Sequence, residues 1–198
     1  MECDFRLVAK SDAASIAEIY RPIVTSTSIS FEVEPPDASD IERRIQDTLP
    51  RYPWLVCEQQ GRVVGYAYAS RHRPRAAYQW SVETSVYLHA DVRRRGIGRG
   101  LYVSLLQILT AQGYFNAYAG IALPNPGSVG LHESVGFSPI GVYRNIGYKR
   151  GAWHRVGMWQ CELQPPVATP RPTKSVDEVQ DDPSWREMVA AGVPCIHA

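Results

Sequence analysis

The chain has 198 residues, 44% of them hydrophobic, and its 21 basic and 20 acidic residues leave a formal net charge of +1. This composition excludes a fibrous or wholly disordered protein, and the length suffices for a hydrophobic core without disulfides or metals. A protein that binds nucleic acid through its bulk charge is usually far more basic. The charge is uneven, however, because residues 62–99 contain eight Arg, no Lys and two acids. We expect the chemistry of the protein near this local excess.

The first half of the chain alternates between the periodicities of strands and helices. Polar and apolar side chains alternate at the start, apolar residues at helical spacing follow, and two β-rich stretches flank a Gln-Gly pair. In chain order, these patterns predict a strand over residues 4–9, a helix from Ser11 or Asp12 to Ile23, a second helix from Ser39 or Asp40 to Leu49, a hairpin of strands over residues 54–58 and 63–69, and a polar loop over residues 70–77.

The second half contains two further helical patterns among strands. In chain order, it predicts a long strand over residues 78–88, an apolar helix over residues 101–112 that Gly113 ends, a strand over residues 114–123, a short helix that Ser128 caps and Gly136 ends, and two strands over residues 137–142 and 153–160. The resulting order, β-α-α-β-β-β-α-β-α-β-β, predicts an α/β domain with a mixed sheet.

The composition changes after residue 163. Four prolines fall within residues 165–172, and residues 175–182 are polar and acidic. These features predict a domain over residues 1–163 and a Pro-rich tail over residues 164–198 that is linker or partly disordered. Residues 183–191 predict one short amphipathic helix that docks through Trp185.

Membrane, export and metal signals are weak in this sequence. Residues 1–4 have neither the basic nor the apolar region of an export signal, and no stretch approaches the roughly 20 apolar residues of a membrane helix. The four cysteines, Cys3, Cys57, Cys161 and Cys195, are widely spaced with no His at metal-ligand spacing. Such spacing favours reduced, buried thiols. We therefore expect a cytoplasmic protein that binds no metal, membrane or nucleic acid.

A turn rich in arginine and glycine, Arg93-Arg94-Arg95-Gly96-Ile97-Gly98, lies between a predicted strand and a predicted helix. Backbone N–H groups at a helix N-terminus attract anions, and adjacent arginines make charge-assisted contacts to phosphate. The spacing is not the G-x-G-x-x-G of dinucleotide folds, and no Lys-Ser/Thr follows as in a nucleoside triphosphate loop. The turn therefore predicts a pyrophosphate site; the alternatives are a surface turn with solvated arginines and a nucleic-acid patch.

This turn and several later motifs resemble a known family. Arg93-x-x-Gly96-x-Gly98 is similar to the Gln/Arg-x-x-Gly-x-Gly/Ala motif with which GNAT N-acetyltransferases bind the pyrophosphate of acetyl-CoA, and residues 125–137 resemble their second motif. Stretches such as Arg51–Val56, Glu83–Tyr87 and Gly147–Gly157 resemble the phosphinothricin N-acetyltransferase group. Over residues 4–163, the resemblance implies a GNAT (acyl-CoA N-acyltransferase) fold with a mixed, mostly antiparallel sheet flanked by helices. It also implies acetyl-CoA as co-substrate and a homodimer joined through the last strands.

Two side chains are candidates for proton transfer. An amine is mostly protonated at pH 7, so its acetylation needs a base. Glu83 is the only acid in the predicted strand 78–88, its apolar neighbours favour proton uptake near neutral pH, and the resemblance places the catalytic base there. His132 stands where many GNAT enzymes carry a Tyr as general acid, a role that an imidazole can take. The alternatives are a solvent-facing or Arg-paired carboxylate and a packed helix histidine.

The resemblance also implies binding residues. Ser85, Val86 and Tyr87 would offer backbone groups to acetyl-CoA, with one N–H near Val86 polarising the thioester oxygen. Asn125 either contacts the same molecule or only fits its Pro-flanked turn. Arg73 and Arg75 would bind the anionic group of the acceptor, because guanidinium groups suit a carboxylate or phosphinate, unless this loop is merely solvated. Aromatic residues would form the walls of the acceptor pocket: Phe31, Tyr78 and Tyr87.

These observations together predict an acetyl-CoA-dependent N-acetyltransferase for a small anionic amino acid such as phosphinothricin or methionine sulfoximine. The amine would attack directly with Glu83 as general base, since no cysteine lies in the motifs to carry an acetyl group. One alternative is acetylation of protein N-termini or of a polyamine, although a polyamine pocket would carry acids where this loop carries arginines. Another alternative is a non-catalytic module that binds acyl-CoA or RNA. The presence of both Glu83 and His132 counts against such a module.

Overall fold

A seven-stranded mixed sheet forms the centre of the computed structural model, which describes residues 3–197. Its strand order is β1-β2-β3-β4-β5-β7-β6. Among the strand pairs of the described residues, β4–β5 is parallel and the others are antiparallel. The strands are β1 (Asp4–Leu7), β2 (Trp54–Gln59), β3 (Arg62–Arg71), β4 (Ser81–Leu88), β5 (Asn116–Leu123), β6 (Ser138–Lys149) and β7 (Ala152–Glu162). The predicted α/β class with a mixed, mostly antiparallel sheet is confirmed.

Helices cover both faces of the sheet. They are α1 (Ala13–Ser26), α2 (Ala38–Thr48), α3 (Ile97–Gln112), α4 (Pro126–Ser134), α5 (Val176–Gln180) and α6 (Trp185–Ala190). Alternation along β2 explains how both faces are buried, because successive strand side chains point to opposite sides. Trp54 and Val56 belong to the core beneath α1 and α2, whereas Leu55 and Cys57 belong to the core beneath α3.

Several element boundaries differ from the sequence predictions, and the largest difference is in β6, which ends at Lys149 and not at residue 142. β4 begins at Ser81, because residues 76–78 form a short 3-10 helix instead of strand. α3 begins four residues before the predicted start, with Gly96 as its N-cap at φ 76°. The cap of α4 is Asn125, not Ser128: the Asn125 Oδ1 accepts a hydrogen bond from the Ser128 N–H at 3.2 Å, and Pro126 occupies the first helical turn, where a missing N–H costs nothing.

The segment after residue 163 is packed against the domain, where the composition predicted linker or disorder. A capping box between Ser175 and Glu178 begins α5. Val176 and Val179 are each 1% exposed, and Met188 and Val189 of α6 are also buried. The average composition of the segment is polar, so it did not indicate these four apolar residues, which form the buried faces of α5 and α6. The helix and the docking predicted for residues 183–191 are present, with Trp185 packed against the main core.

The cysteines of the described residues are free thiols. Cys3, Cys57 and Cys161 are buried as predicted, whereas Cys195 is half-buried because it lies in the last turn of the chain. No helix within residues 3–197 combines the length and apolar character needed to cross a membrane. The same residues bring together no group of three or more side chains suited to a metal ion.

Candidate active site

A cleft opens in the sheet where β4 and β5 separate. The two strands pair only over Ser81–Glu83 and Asn116–Tyr118, and each then continues without pairing to the other. The Thr84 hydroxyl, which donates to the Tyr118 carbonyl at 3.3 Å, closes the apex. Beyond the apex, the backbone N–H and C=O groups that would join the strands are available to a ligand. The cleft is lined by Ile29, Thr84, Ser85, Val86, Tyr87, Tyr102, Gly120, Ile121, Ala122, Asn125, Ser128 and His132.

Five of the predicted site residues therefore meet in one place. Ser85, Val86 and Tyr87 come from β4, and Asn125 and His132 come from α4 on the other side of the cleft. Tyr87 has further contacts below the cleft, where its ring meets that of Tyr20 edge-on at a centroid distance of 4.9 Å. Burial raises the pKa of Tyr87 well above its ordinary value, so its hydroxyl stays protonated.

The Arg93–Gly98 turn follows β4 and leads into α3. Gly96 occupies the left-handed region that favours glycine, as does Arg94 at φ 65°. Gly98 lies between α4 and the end of β4: a Cβ there would come within 3.2 Å of Leu131 and 3.4 Å of Leu88. The turn thus exposes bare backbone at the N-terminus of a 16-residue helix, whose first N–H groups have no partner within the helix. Its geometry fits a phosphate group.

The end of the chain packs against this turn, a contact that the sequence did not suggest. The His197 N–H donates to the Arg95 carbonyl at 3.1 Å. A Cβ on Gly96 would collide with the Cys195 carbonyl, so glycine is needed here for close approach as well as for φ. The last turn of the chain therefore supports the Arg93–Gly98 turn from outside the cleft.

Glu83 lies beside the apex of the cleft, as the last residue of β4 that pairs with β5, opposite Ser70 on β3 and Tyr118 on β5. Its side chain is not among those that line the cleft. Its side chain is 42% exposed, and its Oε1 lies 3.2 Å from the Nδ1 of His72. The apolar surroundings expected from the sequence are therefore missing, because the carboxylate faces solvent on one side and a histidine on the other. The hydrogen-bonding partner of Glu83 is a histidine and not the arginine considered as an alternative.

His132 is buried in α4 with both ring nitrogens hydrogen-bonded. Its Nδ1 lies 2.7 Å from the Ser128 carbonyl, which can only accept, so this nitrogen carries a proton. The Nε2 lies 2.8 Å from the Tyr102 hydroxyl, which donates to it in the neutral imidazole. Burial lowers the pKa of His132, and the Ser128 carbonyl offsets only part of that effect. His132 is therefore a neutral acceptor toward Tyr102 at pH 7.

Tyr102 is a site residue that the sequence analysis missed. It is fully buried in α3, yet its hydroxyl reaches the cleft, 2.8 Å from the His132 Nε2 and 3.4 Å from the Thr84 Oγ1. Burial raises the pKa of Tyr102. No sequence signal distinguishes it, because a Tyr within a strongly apolar helix resembles any other core residue.

The predicted acceptor-binding residues do not all lie in one place, as the predicted cleft residues do. Arg73 and Arg75 are exposed on the loop after β3, which Arg71 closes by donating to the carbonyls of Arg73 (3.0 Å) and Pro74. The ring of Tyr78, from the same loop, lies 6.0 Å from that of His72 beside Glu83. Phe31 does not line the cleft but packs on Gly147 of β6. Ile29, two residues earlier in the chain, lines the cleft instead.

Comparisons with known proteins agree with this geometry. The acetyltransferase (GNAT) domain family matches residues 5–156. The chain is 40% identical to a phosphinothricin N-acetyltransferase of Streptomyces viridochromogenes, over 89% of this chain and 96% of that protein. It is 32% identical to an L-methionine sulfoximine/L-methionine sulfone acetyltransferase of Pseudomonas aeruginosa, over 86% and 100% of the two chains.

The fold of this chain also resembles that of a solved structure. The crystal structure of a GNAT superfamily phosphinothricin acetyltransferase from Sinorhizobium meliloti, in complex with AcCoA, superposes with a TM-score of 0.81 at 35% identity. The match covers 88% of this chain and 95% of that one. Sequence, fold and cleft thus agree, and the chain belongs to the GNAT acetyltransferase family as an N-acetyltransferase.

Proposed function

We propose that this protein transfers an acetyl group from acetyl-CoA to the amine of a small anionic amino acid of the phosphinothricin or methionine sulfoximine type. The observation that carries the proposal is the cleft between β4 and β5, with Glu83 beside its apex and the Arg93–Gly98 turn beside its open end. The relatives named for these two acceptors, at 40% and 32% identity, support the substrate class.

Acetyl-CoA is the co-substrate and supplies an activated thioester. The residues present fit it in two ways. The bare backbone at the start of α3, with Arg93, Arg94 and Arg95 around it, suits a pyrophosphate. The unpaired strand edge at Ser85–Tyr87 suits an extended arm with amide groups, which needs backbone partners on one side.

Glu83 is the general base in this proposal. Its exposed carboxylate takes a proton from the ammonium group of the acceptor, directly or through one water, and so releases a lone pair that can attack the thioester carbonyl. The new C–N bond forms as the C–S bond breaks, and the electron pair leaves with sulfur as a thiolate. The nitrogen then loses its second proton to solvent, and the thiolate takes up a proton from solvent. The half-exposed position keeps Glu83 in contact with solvent, to which the proton can return.

Tyr102 and His132 serve the leaving group. Neutral His132 has no hydrogen on Nε2, so the hydrogen that faces the cleft belongs to the Tyr102 hydroxyl. In the resting site that hydrogen is donated to the His132 Nε2. As the thiolate forms, rotation about the Tyr102 C–O bond redirects the hydrogen to the departing sulfur, which it stabilises by hydrogen bonding. The role expected for His132 alone thus becomes a shared one, with Tyr102 as the donor and His132 as its anchor.

Arg73 and Arg75 select the acceptor in this proposal. Both lie exposed on the loop that follows β3, next to Tyr78 and on the Glu83 side of the cleft. Guanidinium groups there would bind the carboxylate or phosphinate of the acceptor and would repel polyamines. Replacing Arg73 and Arg75 with Gln should raise the KM for the amine and leave the KM for acetyl-CoA unchanged.

The deciding experiment measures thiol release from acetyl-CoA with a panel of amines. The panel contains phosphinothricin, methionine sulfoximine, common amino acids, a polyamine and a peptide with a free N-terminus. We expect turnover with the anionic amino acids and a loss of at least a hundredfold in Glu83→Gln, as is typical for a lost general base. Glu18→Gln, on the exposed face of α1, is the matched control. Turnover of the peptide or polyamine alone would replace the proposed acceptor, and full activity of Glu83→Gln would remove the proposed base.

We also propose that two copies of the chain associate through β6 and β7. The strand β6 ends the sheet and is exposed along nearly its whole length. A long apolar edge of this kind is a hazard unless another chain covers it. Ile146→Lys should therefore shift the protein from dimer to monomer in sedimentation; a monomeric parent protein would contradict the proposal. The exposed apolar side chains are Ile140, Val142, Tyr143, Ile146, Tyr148 and Trp153.

A further inference from the structure

A histidine outside the family motifs contacts the candidate base. His72 follows β3 directly, and its imidazole stacks on the ring of Tyr118 at 4.4 Å and 16°. Tyr78 meets the same imidazole nearly edge-on, at 6.0 Å and 75°. The His72 side chain is only 11% exposed. Two rings from two different segments therefore hold His72 in one orientation.

The orientation aims the imidazole at Glu83. The His72 Nδ1 lies 3.2 Å from the Glu83 Oε1, and because a carboxylate oxygen can only accept, Nδ1 is the donor. A hydrogen bond to one carboxylate oxygen leaves the other oxygen free to accept a proton from the amine. Since Glu83 is 42% exposed and otherwise free to rotate, this contact fixes which way it points.

The charged and titratable groups around the pair come from two strands, β3 and β5, and from the loop. Tyr118 is on β5 and Tyr68 is on β3. Burial is the main cause of the raised pKa of Tyr68, and the nearby Glu83 carboxylate also contributes to it. Tyr78 is on the loop. Arg71, at the end of β3, directs its guanidinium to the carbonyls of Arg73 and Pro74. The partner that Glu83 uses is therefore His72.

We propose that His72 is the positioning residue of the general base: its Nδ1–H holds the Glu83 carboxylate toward the acceptor amine. The inference rests on the proposed function, because it assigns Glu83 the role of base. His72 itself touches neither the acceptor nor acetyl-CoA in this account, so it acts only through Glu83.

Two substitutions separate the hydrogen bond from the packing. His72→Phe keeps a ring on Tyr118 and removes the donor, whereas His72→Asn keeps a donor near the Nδ1 position and removes the ring. We expect His72→Phe to lower kcat/KM for the amine about tenfold, with the KM for acetyl-CoA unchanged.

His72→Asn should recover most of the activity, because it restores a donor to the Glu83 carboxylate. In a Glu83→Gln background, His72→Phe should have no further effect, because a residue that acts through Glu83 has nothing left to position. If His72→Phe does not fold, as judged by its circular dichroism and thermal midpoint, His72→Leu takes its place in both comparisons.

Three results would overturn the inference. One is a donor-free variant with the parent's kcat/KM for the amine. Another is a His72→Asn variant as impaired as the donor-free variant, which would assign the effect to packing. The last is an additive loss in the Glu83→Gln background. The proposed function fails separately, by lack of turnover in the parent protein with every amine, or by full activity of Glu83→Gln with His72 intact.

Discussion

At the scale of single residues, burial decides which form of His132 the site contains. The imidazole is 4% exposed, and desolvation lowers its pKa, so the neutral ring can accept but not donate at Nε2. The hydrogen in the cleft consequently belongs to Tyr102. A substitution at Tyr102 should therefore resemble one at His132 in its effect on catalysis, although the two residues lie on different helices.

Tyr102→Phe tests this shared role. The change leaves the buried His132 Nε2 without a donor, which should cost about 1–2 kcal/mol of stability. It should lower kcat about tenfold with little change in either KM, because the lost hydrogen bond strengthens only as the sulfur leaves. Steady-state kinetics and thermal unfolding provide the measurement. Tyr52→Phe, whose ring stacks on Tyr114 outside the cleft, is the control and should retain both properties.

A second residue-scale prediction concerns acid stability and the Arg6–Asp12 pair. Burial by itself raises the pKa of Asp12, but hydrogen bonds from Arg6 at 2.7 and 2.9 Å and from the Ala9 N–H at 2.8 Å outweigh it, leaving the pKa lowered. A lowered pKa stabilises the fold above the unfolded-state value, about 3.9, and this stabilisation is lost as the pH falls below it. Asp12→Asn should therefore cost about 2 kcal/mol at pH 7.

The pH dependence of that cost distinguishes the ion pair from a packing defect. Urea unfolding at several pH values should show the gap between Asp12→Asn and the parent narrowing as the pH falls from about 4 through the lowered folded-state pKa of Asp12. Below that pKa, the parent's carboxyl is protonated in both the folded and the unfolded state. A gap that stays constant down to pH 2 would assign the loss to packing. Asp4→Asn, at an exposed position on β1, should show no gap at either pH.

At the scale of elements, the separation of β4 from β5 creates the site, and the connection between α1 and α2 completes it. Ile29 in that connection lines the cleft. The connection is held from the far end of the sheet: the Lys149 Nζ of β6 donates to the carbonyls of Val24 and Ser30, each at 2.7 Å, and Lys149 is 9% exposed. A β6 lysine therefore positions one wall of a cleft that β4 and β5 form.

Lys149→Met should loosen that wall without touching the catalytic groups. Two carbonyls lose their donor, so we expect the KM for the amine to rise about fivefold to tenfold, with a smaller change in kcat and a midpoint lower by a few degrees. Arg150→Met is a matched control, since Arg150 also donates to a carbonyl of this region, that of Thr25 at 2.8 Å, but from an exposed position. Equal effects of the two variants would contradict a special role for Lys149.

At the scale of the whole molecule, the last 35 residues link the core to the Arg93–Gly98 turn. The Ser104 hydroxyl of α3 donates to the Val189 carbonyl at 2.7 Å and accepts from the Gly192 N–H at 3.0 Å. Gly192 and Gly100 bring two backbones so close that a Cβ on either would collide with the other residue's backbone. The chain then continues to the contacts of Cys195 and His197 with the turn.

Gly192→Ala should separate the terminal segment from α3. We expect a loss of about 2–4 kcal/mol in the free energy of unfolding, as for an overpacked core site, since backbone cannot yield as a flexible side chain does. The KM for acetyl-CoA should also rise, because the Arg93–Gly98 turn loses its support. Gly130→Ala is the control: nothing lies within 4 Å of its added Cβ, and alanine favours a helix. A variant as stable as the parent, with unchanged KM, would contradict this linkage.

Local patterns in the sequence determined the order of strands and helices, the mixed sheet and the position of the Arg93–Gly98 turn. Such features depend on residues close together in the chain, as do a helix period, a Gly-rich turn and a capping side chain. The same locality explains the error at α4, where Asn125 and Ser128 are both good caps and only the helix start selects between them. The family resemblance added the candidate roles of Glu83 and His132, which spacing alone does not reveal.

Tertiary structure alone decided the partners of those residues. Tyr102 and His132 are 30 residues apart, Glu83 and His72 are 11 apart on neighbouring segments, and Val189 and Ser104 are 85 apart. Their contacts depend on how the sheet splays and how helices pack on it, and neither is encoded in a local period. The sequence by itself thus determined the fold and the family. Protonation states, hydrogen-bond donors and the packing of the terminal segment followed only from burial and distance, because desolvation and hydrogen bonding act between atoms that the fold, not the chain order, makes neighbours.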